Sequence, residues 1–331
     1  MRTGVIGAGG LGQHHIRILR DLCGADFAGF YESRPDRATK VASDLGVRAF
    51  ESLDLLLDAV DAVTIVVPTP AHFEVAERVL ARGIHALIEK PIAATLEQAD
   101  QMLRLASEHG ALIQTGHVER FNRAIRAAIP HVDSPRFIQS DRLAPFNPRG
   151  ADVAVVLDLM IHDIDLVLTL VGGKASSVDA VGVPVLTPFV DIANARLSFD
   201  SGAVANITAS RVSRDRMRKL RIFQQSGYLS LDLGAGSGEF FRLRDDVDVA
   251  ELATAPLALE QFVERIPLEA DEGDALRLEF ESFLAGVRGE SPIPVTGEAG
   301  RDALAVALQI VADIERALPS LAGGAALPSR A

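Results

Sequence analysis

The chain has 331 residues, 48% hydrophobic and 24% charged, an ordinary globular composition with length enough for two domains and large cores. Its formal net charge of −12, with no Trp and two Tyr, excludes nucleic acid as a main partner, since phosphate binding wants a basic field and base stacking wants aromatics. A single cysteine, Cys23, excludes an intrachain disulfide and fits a reducing compartment.

The chain opens on a strand, Arg2 to Ile6, with no room for a signal peptide ahead of it, so a cytoplasmic protein is expected. Gly7, Gly9 and Gly12 then fit the G-x-G-x-x-G spacing and lead into a helix over Leu11–Leu22. The first glycine permits the tight turn, the second lets a pyrophosphate approach the backbone, and the third lets helix and strand pack closely. The helix start around Gly10 and Leu11 offers N–H groups and a partial positive charge to the phosphates. Strand Phe27–Tyr31 ends in Glu32, whose carboxylate can accept from both adenosine ribose hydroxyls and repels a 2′-phosphate. NAD is therefore expected over NADP, although Arg34 offers a 2′-phosphate some compensation. His14 and His15 read as packing or capping groups.

The strand–helix alternation continues through helix Pro35–Leu45, a short strand near Val47–Phe50, helix Leu53–Val60 and the buried strand Ala62–Val67. Helix Ala71–Arg82, strand His85–Ile88, helix Leu96–His109 capped by Thr95, and strand Ala111–Thr115 follow. This rhythm indicates a parallel, doubly wound sheet whose ligand lies at the carboxyl ends of the strands. Pro68–His72, Glu89–Pro91 and Gly116–Asn122 all follow such ends, which nominates Thr69, His72, Glu89 and Lys90 as further cofactor contacts.

Strand Arg136–Arg142 opens a second domain. Val153–Val171 is its longest apolar run, but Asp158, His162, Asp163 and Asp165 interrupt it, so no membrane span is expected. Helical spacing stacks Asp158, His162 and Asp165 on one stripe, where a carboxylate can orient an imidazole as a general base. A buried histidine merely satisfied by its neighbour explains the same residues. They are too thin a set for a metal site. Val178–Val185, Val190–Phe199, Ala203–Arg211, Lys219–Gln225 and Tyr228–Leu233 alternate apolar and polar with turn signals between them, as antiparallel hairpins do. Asp245–Asp274 is too irregular to place, and Leu276–Arg288 and Gly300–Leu318 return to helical periodicity. The basic cluster Arg211, Arg214, Arg216, Arg218, Lys219 and Arg221 suits either a diphosphate clamp or a solvated edge.

Four marks at family-like spacing carry a resemblance over nearly the whole chain: the Gly7–Gly12 loop, Pro68-Thr69-Pro70-Ala71-His72, Glu89-Lys90-Pro91, and Asp158 with His162. They resemble the Gfo/Idh/MocA oxidoreductases, named for glucose–fructose oxidoreductase, inositol dehydrogenase and rhizopine catabolism. The resemblance implies an α/β chain: an N-terminal Rossmann domain (residues 1–120) and a C-terminal α+β domain (121–331) on an open, mostly antiparallel sheet. That sheet commonly makes the oligomer interface, so a homodimer or homotetramer is expected. It also implies that Lys90 and His162 flank the reacting carbon, with Asp158 in support, and that Lys90-Pro91 is often cis.

Gly116–Asn122 and Arg142–Arg149 are similar to the branch acting on nucleotide-linked amino sugars, although Arg123 stands where the family usually has Pro. That branch implies NAD-dependent oxidation of the 3-hydroxyl of a UDP-linked N-acetylhexosamine, with His117, Arg120, Asn122, Arg149, Asp158 and His162 as substrate contacts. Two rivals stand beside it. One is a dehydrogenase of a free sugar, inositol or sugar acid. The other is an NAD(H)-binding regulator without turnover, against which intact Lys90, Asp158 and His162 speak.

Overall fold

The computed structural model describes residues 1–148, 150–244 and 262–322, with side chains as far as residue 317. Arg149, residues 245–261 of the irregular stretch, and the tail from 323 lie outside the described residues. The chain divides into two compact units, residues 1–118 with 273–304, and 119–272 with 305–331.

In the first unit, β1 (Thr3–Ile6), β2 (Phe27–Tyr31), β3 (Ala62–Ile65), β4 (His85–Glu89) and β5 (Ile113–Gly116) form a parallel sheet in the order β2-β1-β3-β4-β5. Every residue of β1 and β3 is buried, as parallel strands covered on both faces must be. The covering helices are α1 (Gly10–Cys23), α2 (Pro35–Leu45), α3 (Leu53–Leu57), α4 (His72–Leu80) and α5 (Leu96–His109). Left-handed Gly46 and Gly110 close α2 and α5, and the Thr95 hydroxyl caps α5 by accepting from the Gln98 N–H at 3.3 Å. The strand order reverses direction beside β1, which puts the switch point at the glycine loop. Val47–Phe50 does not form a full strand. Pinched between left-handed Gly46 and the next helix, it makes a single bridge, Ala49 to Phe30.

Gly273–Leu304, which a single cut at residue 120 leaves with the second domain, pack in this first unit. Phe280, Phe283 and Leu284 of helix Ala275–Val287 enter the core of Val5, Ile16, Leu19 and Phe30. Truncating either phenylalanine to alanine removes about 3–5 kcal/mol by the usual cost of such cavities. The Gln114 amide donates to the Glu279 carbonyl at 3.0 Å, and the Thr115 N–H to the Val295 carbonyl at 2.9 Å.

The second unit contains α6 (Arg123–Ala128), β6 (Phe137–Leu143), a π-helical turn (Val156–Met160) and α7 (Ile161–Val171). β7 (Ala175–Val183), β8 (Ile192–Phe199), β9 (Val204–Ser210), β10 (Met217–Gln224), β11 (Gly227–Asp232), β12 (Ser237–Leu243) and β13 (Val263–Leu268) follow. With β6 they make an eight-stranded sheet, β13-β12-β11-β10-β6-β9-β8-β7, antiparallel except where β6 lies parallel to β9. One face carries Ile138, Leu197, Ile207, Leu220, Ile222 and Leu229, all fully buried. β12 and β13 escape sequence reading because their patterning is weak: Phe240 is the one buried residue of β12, and Leu268 of β13.

A polar knot fastens the edge of this sheet. Asp191 accepts backbone N–H bonds from Val185 (2.8 Å), Leu186 (2.6 Å) and Thr187 (2.9 Å), and lies 3.0 Å from Arg211 Nε. Arg211 in turn donates to the carbonyls of Gly150, Val153 and Val190. Burial pushes the Asp191 carboxyl up, but the bonds from Thr187, Leu186 and Val185 outweigh it and hold the pKa at about 2. A carboxyl depressed on folding stabilises the fold above its unfolded value, 3.8, and that stability is lost as pH falls through about 2. Urea unfolding followed by circular dichroism at pH 5 and pH 2.5 should show wild type losing about 1–2 kcal/mol more than Asp191→Asn, at roughly 1.4 kcal/mol per pKa unit. Equal losses would remove Asp191 from the acid response.

Candidate active site

The first βα turn leaves no space for side chains where the backbone folds on itself. Gly7 has φ +98°, and a Cβ there would meet the Val66 carbonyl oxygen at 2.5 Å; a Cβ on Gly12 would meet the Gly7 oxygen at 2.1 Å. Gly9 differs, because the nearest atom to its missing Cβ is Arg37 Nη1 at 3.8 Å, so its backbone stays open to a pyrophosphate. α1 starts at exposed Gly10 and half-buried Leu11 without a side-chain cap, which leaves its first N–H groups for an anion. Glu32, 9% exposed at the end of β2, accepts from the Ala8 N–H at 2.9 Å and the Arg34 N–H at 3.1 Å, with Arg37 Nη1 at 3.5 Å. The carboxylate is thus held in one orientation beside the glycine loop. These features fit a dinucleotide, with Gly7–Gly12 for its phosphates and Glu32 for its ribose.

Thr69 begins the short 3-10 turn Thr69–Ala71 ahead of α4 and is half-buried. His72 is 1% exposed, with Nδ1 2.9 Å from the Pro91 carbonyl oxygen and Nε2 2.9 Å from that of Val67. It braces the loop after β3 against the loop after β4, with both ring nitrogens engaged there. Burial pushes its pKa down, against the two carbonyls and the Glu89 charge, which favour the cation.

Glu89 ends β4, and the cis peptide Lys90–Pro91 follows. The Glu89 carboxylate is turned inward: Oε1 lies 3.2 Å from His15 Nε2, and Oε2 accepts the Lys90 backbone N–H at 3.3 Å. Burial pushes this carboxyl up, but the His15 hydrogen bond and the charges of His15, Lys90 and His72 bring it below its ordinary value. His15 is fully buried, with Nδ1 3.3 Å from the Thr64 hydroxyl and its ring edge-on to Phe280 at 4.8 Å. Sequence reading gave His15 only a packing role. The signal was present, since Gly12, His15, Ile16 and Leu19 are spaced as one inward face of α1.

In the second unit the π turn Val156–Met160 carries Asp158, and the first turn of α7 carries His162; both side chains are partly buried. The Asp158 carboxylate packs against Gly150, where a Cβ would meet Oδ2 at 2.5 Å. Asp165 leaves the predicted stripe. It is 1% exposed and binds Arg120 in two bonds, Nε–Oδ2 at 2.6 Å and Nη2–Oδ1 at 2.8 Å. The Arg120 pair is the reason, since His162 and Asp165 share the regular winding of α7; the π turn instead changes the phase between Asp158 and both of them. π turns inside α-helices frequently mark functional sites.

Arg120 and Asn122, two of the expected substrate contacts, are engaged inside this unit. Arg120 is held by Asp165, and Asn122 donates to Glu119 (3.0 Å) and to the Leu233 carbonyl (2.9 Å) while capping α6. His117, at the end of the first unit, is fully buried. The basic cluster disperses: Arg211 is buried on Asp191, Lys219 pairs with Asp232 at 2.7 Å, and Arg218 reaches Glu119 at 3.6 Å, leaving Arg214, Arg216 and Arg221 exposed.

The comparison with known proteins agrees with this geometry. Residues 1–117 match the model described as the oxidoreductase family, NAD-binding Rossmann fold, and residues 123–230 match the GFO/IDH/MocA C-terminal domain. UDP-N-acetylglucosamine 3-dehydrogenase of Acidithiobacillus ferrooxidans is 39% identical over 95% of this chain and 97% of its own. The chain belongs to the Gfo/Idh/MocA oxidoreductase family. The solved structure of that Acidithiobacillus enzyme superposes with a TM-score of 0.86, covering 96% of this chain and 98% of its own. A Bordetella pertussis dehydrogenase solved with NADH and UDP-GlcNAcA shares the fold at 19% identity, with a TM-score of 0.77 over 96% of each chain. The scyllo-inositol 2-dehydrogenase (NAD(+)) of Bacillus subtilis is 29% identical over 64% of this chain and 68% of its own.

As a member of this family the chain is an oxidoreductase with an NAD-binding Rossmann domain. Among the described residues, no helix is long and apolar enough to cross a membrane. The clamped Glu32 carboxylate predicts a higher kcat/KM with NAD+ than with NADP+, and Glu32→Gln should narrow that ratio by roughly tenfold or more, one charge contact being worth about 1.4 kcal/mol or above. Equal efficiencies in the unmodified enzyme would refute the role given to Glu32.

Proposed function

We propose that this enzyme oxidises the 3-hydroxyl of a UDP-linked N-acetylhexosamine, with UDP-N-acetylglucosamine as the first candidate. The observation that carries the reading is the 39% identity, across 95% of this chain, to a protein named for that activity. In this reading His162 takes the proton from the sugar hydroxyl, Asp158 orients the imidazole, and Lys90 donates to the oxyanion that develops on that oxygen. When bound, NAD+ supplies the hydride acceptor. Arg120 and Asn122 act through their neighbours, holding Asp165 and Glu119 and so the start of α7 and the segment before α6. Arg149 lies outside the described residues and keeps its sequence-based expectation as a substrate contact.

Incubation with NAD+ and UDP-N-acetylglucosamine, following NADH absorbance and trapping the ketone as an oxime, should give turnover. His162→Ala should lower kcat by about 10²–10⁴, the range of general acid–base catalysis, with NAD+ affinity unchanged. Turnover of inositol or a free sugar, with none of the nucleotide sugar, would move this enzyme to another substrate class of the same family.

We further propose that the outward face of the second unit's sheet seats a second copy of the chain. Phe137, Phe223, Tyr228 and Phe241 form a continuous aromatic ladder across β6, β10, β11 and β12, with ring centroids 5.5, 4.7 and 5.5 Å apart, and Phe223 is 37% exposed. Light scattering after size exclusion should give a dimer or tetramer mass that Phe223→Asp reduces. A monomeric wild-type chain would refute the assignment.

A further inference from the structure

We propose that Gly150 and Arg211 are positioning residues for Asp158: Arg211 holds the Gly150 carbonyl, and the bare α-carbon of Gly150 seats the Asp158 carboxylate. This rests on the dehydrogenase reading, in which Asp158 orients the His162 imidazole. All the residues involved belong to the second unit.

The seat is specific to one side chain. The three heavy atoms nearest to where a Gly150 Cβ would stand all belong to the same carboxylate: Asp158 Oδ2 at 2.5 Å, Cγ at 2.9 Å and Oδ1 at 3.3 Å. The carboxylate therefore lies broadside on the glycine, and any side chain at position 150 would push it away. Gly150 also has φ +81°, which favours glycine by itself, but the clash with Asp158 is a separate constraint. The chain between seat and carboxylate is pinned as well. The Val155 N–H donates to the Val190 carbonyl at 2.8 Å, and the Asp158 N–H to the Ala154 carbonyl at 3.2 Å.

Arg211, just past β9, fixes the seat. Its guanidinium is buried and directs its planar fork at backbone: Nη1 donates to the Gly150 carbonyl, and Nη2 to the carbonyls of Val153 and Val190. A buried cation needs an anchor of its own, and Asp191 supplies it. Arg211 Nε lies 3.0 Å from Asp191 Oδ1, and the Arg211 N–H donates to the Asp191 carbonyl at 3.0 Å. Asp191 is anchored in turn, Oδ2 by the N–H groups of Val185, Leu186 and Thr187, and Oδ1 by the Thr187 hydroxyl at 2.8 Å. Position thus passes from that turn through Asp191 and Arg211 to Gly150, and from Gly150 to the Asp158 carboxylate by contact. A lysine at 211 would keep a charge for Asp191 but lacks the fork that reaches three carbonyls.

The test is a double-mutant cycle on kcat, with the sugar the enzyme turns over, in wild-type and Asp158→Ala backgrounds. Misplacing a catalytic group by about 1 Å can cost about 10²-fold, so Gly150→Ala should lower kcat by about tenfold or more while NAD+ affinity stays near wild type. In the Asp158→Ala background the same substitution should change kcat by less than about twofold, because no carboxylate is left to displace. Gly172→Ala controls for the backbone: Gly172 has φ +75° with nothing within 4 Å of its missing Cβ, and its substitution should leave kcat within about twofold of wild type. Should Gly150→Ala fail to fold, Arg211→Lys reads the same seat and should lower kcat in the wild-type background but not in the Asp158→Ala one. A folded Gly150→Ala or Arg211→Lys with wild-type kcat, a loss that multiplies with that of Asp158→Ala, or an equal loss in Gly172→Ala overturns the proposal. Full turnover by Asp158→Ala would overturn the orienting role of Asp158 and the proposal with it. Oxidation of a free sugar alone would change the substrate class and leave the same cycle to decide.

Discussion

Arg142 lies almost wholly out of water between two acids, donating to Asp163 at 2.5 Å and 3.2 Å and to Glu119 at 2.7 Å. Removing three ions from water costs several kcal/mol each, so such a cluster persists only where hydrogen bonds complete it. Here they do: Ser140 donates to Asp163 at 2.8 Å and Asn122 to Glu119 at 3.0 Å. Burial works against the Arg142 charge, and the two carboxylates restore and raise it. The cluster reaches His162, the base of the proposed reaction, through the chain itself. Asp163 follows His162 directly, so the ions that fix Asp163 also fix the α7 backbone that presents the imidazole. Breaking a buried cluster by removing one partner commonly costs about 3–5 kcal/mol, far more than a surface pair.

The first unit solves the same problem in the same way. Glu89 is nearly buried, is answered by His15, and directly precedes Lys90. In both units a side chain given a catalytic role in the proposal sits next to a buried carboxylate whose partners come from a distant element: β6 for Asp163, α1 for Glu89. The polar network locks the backbone, and the adjacent side chain inherits that rigidity. Such preorganisation matters because small misplacements of a proton donor or acceptor cost a large share of the rate.

Much of this was legible in the sequence, for identifiable reasons. Gly7, Gly9 and Gly12 announce their role because the turn they make excludes any Cβ at two of them. Glu32 is legible because the strand before it reads cleanly as Phe27–Tyr31, the bounds the structure has. Helical spacing singles out Asp158 and His162, and their pairing with Lys90 comes from motif resemblance. What the sequence withholds is the partner of a charge. Arg120 and Asn122 read as ligand-facing residues, yet Asp165 and Glu119 hold them, and helical spacing alone put Asp165 on the His162 stripe. The π turn that shifts Asp158 in phase against α7 has no compositional mark. Leu276–Arg288 reads as a helix and the structure has one at Ala275–Val287, but no local pattern says which core Phe280 and Phe283 will enter.

The clamp on Glu32 shows why one acidic residue can select a cofactor in a region that also carries Arg34 and Arg37. A loose carboxylate would have to lose rotamer freedom each time it met a ribose, and part of the binding energy would go into ordering it. Glu32 is already ordered by the Ala8 and Arg34 N–H groups, so a ribose meeting its remaining lone pairs would do so at little further entropic cost. The Ala8 N–H, a donor of the glycine loop, is directed to this carboxylate. Arg37, 3.5 Å from Glu32, is drawn toward that same negative charge, which makes it a poorer partner for a 2′-phosphate than its position suggests. The loop, the carboxylate and the arginine therefore form one electrostatic unit, and removing the carboxylate both ends the repulsion of the phosphate and frees the cation that would receive it.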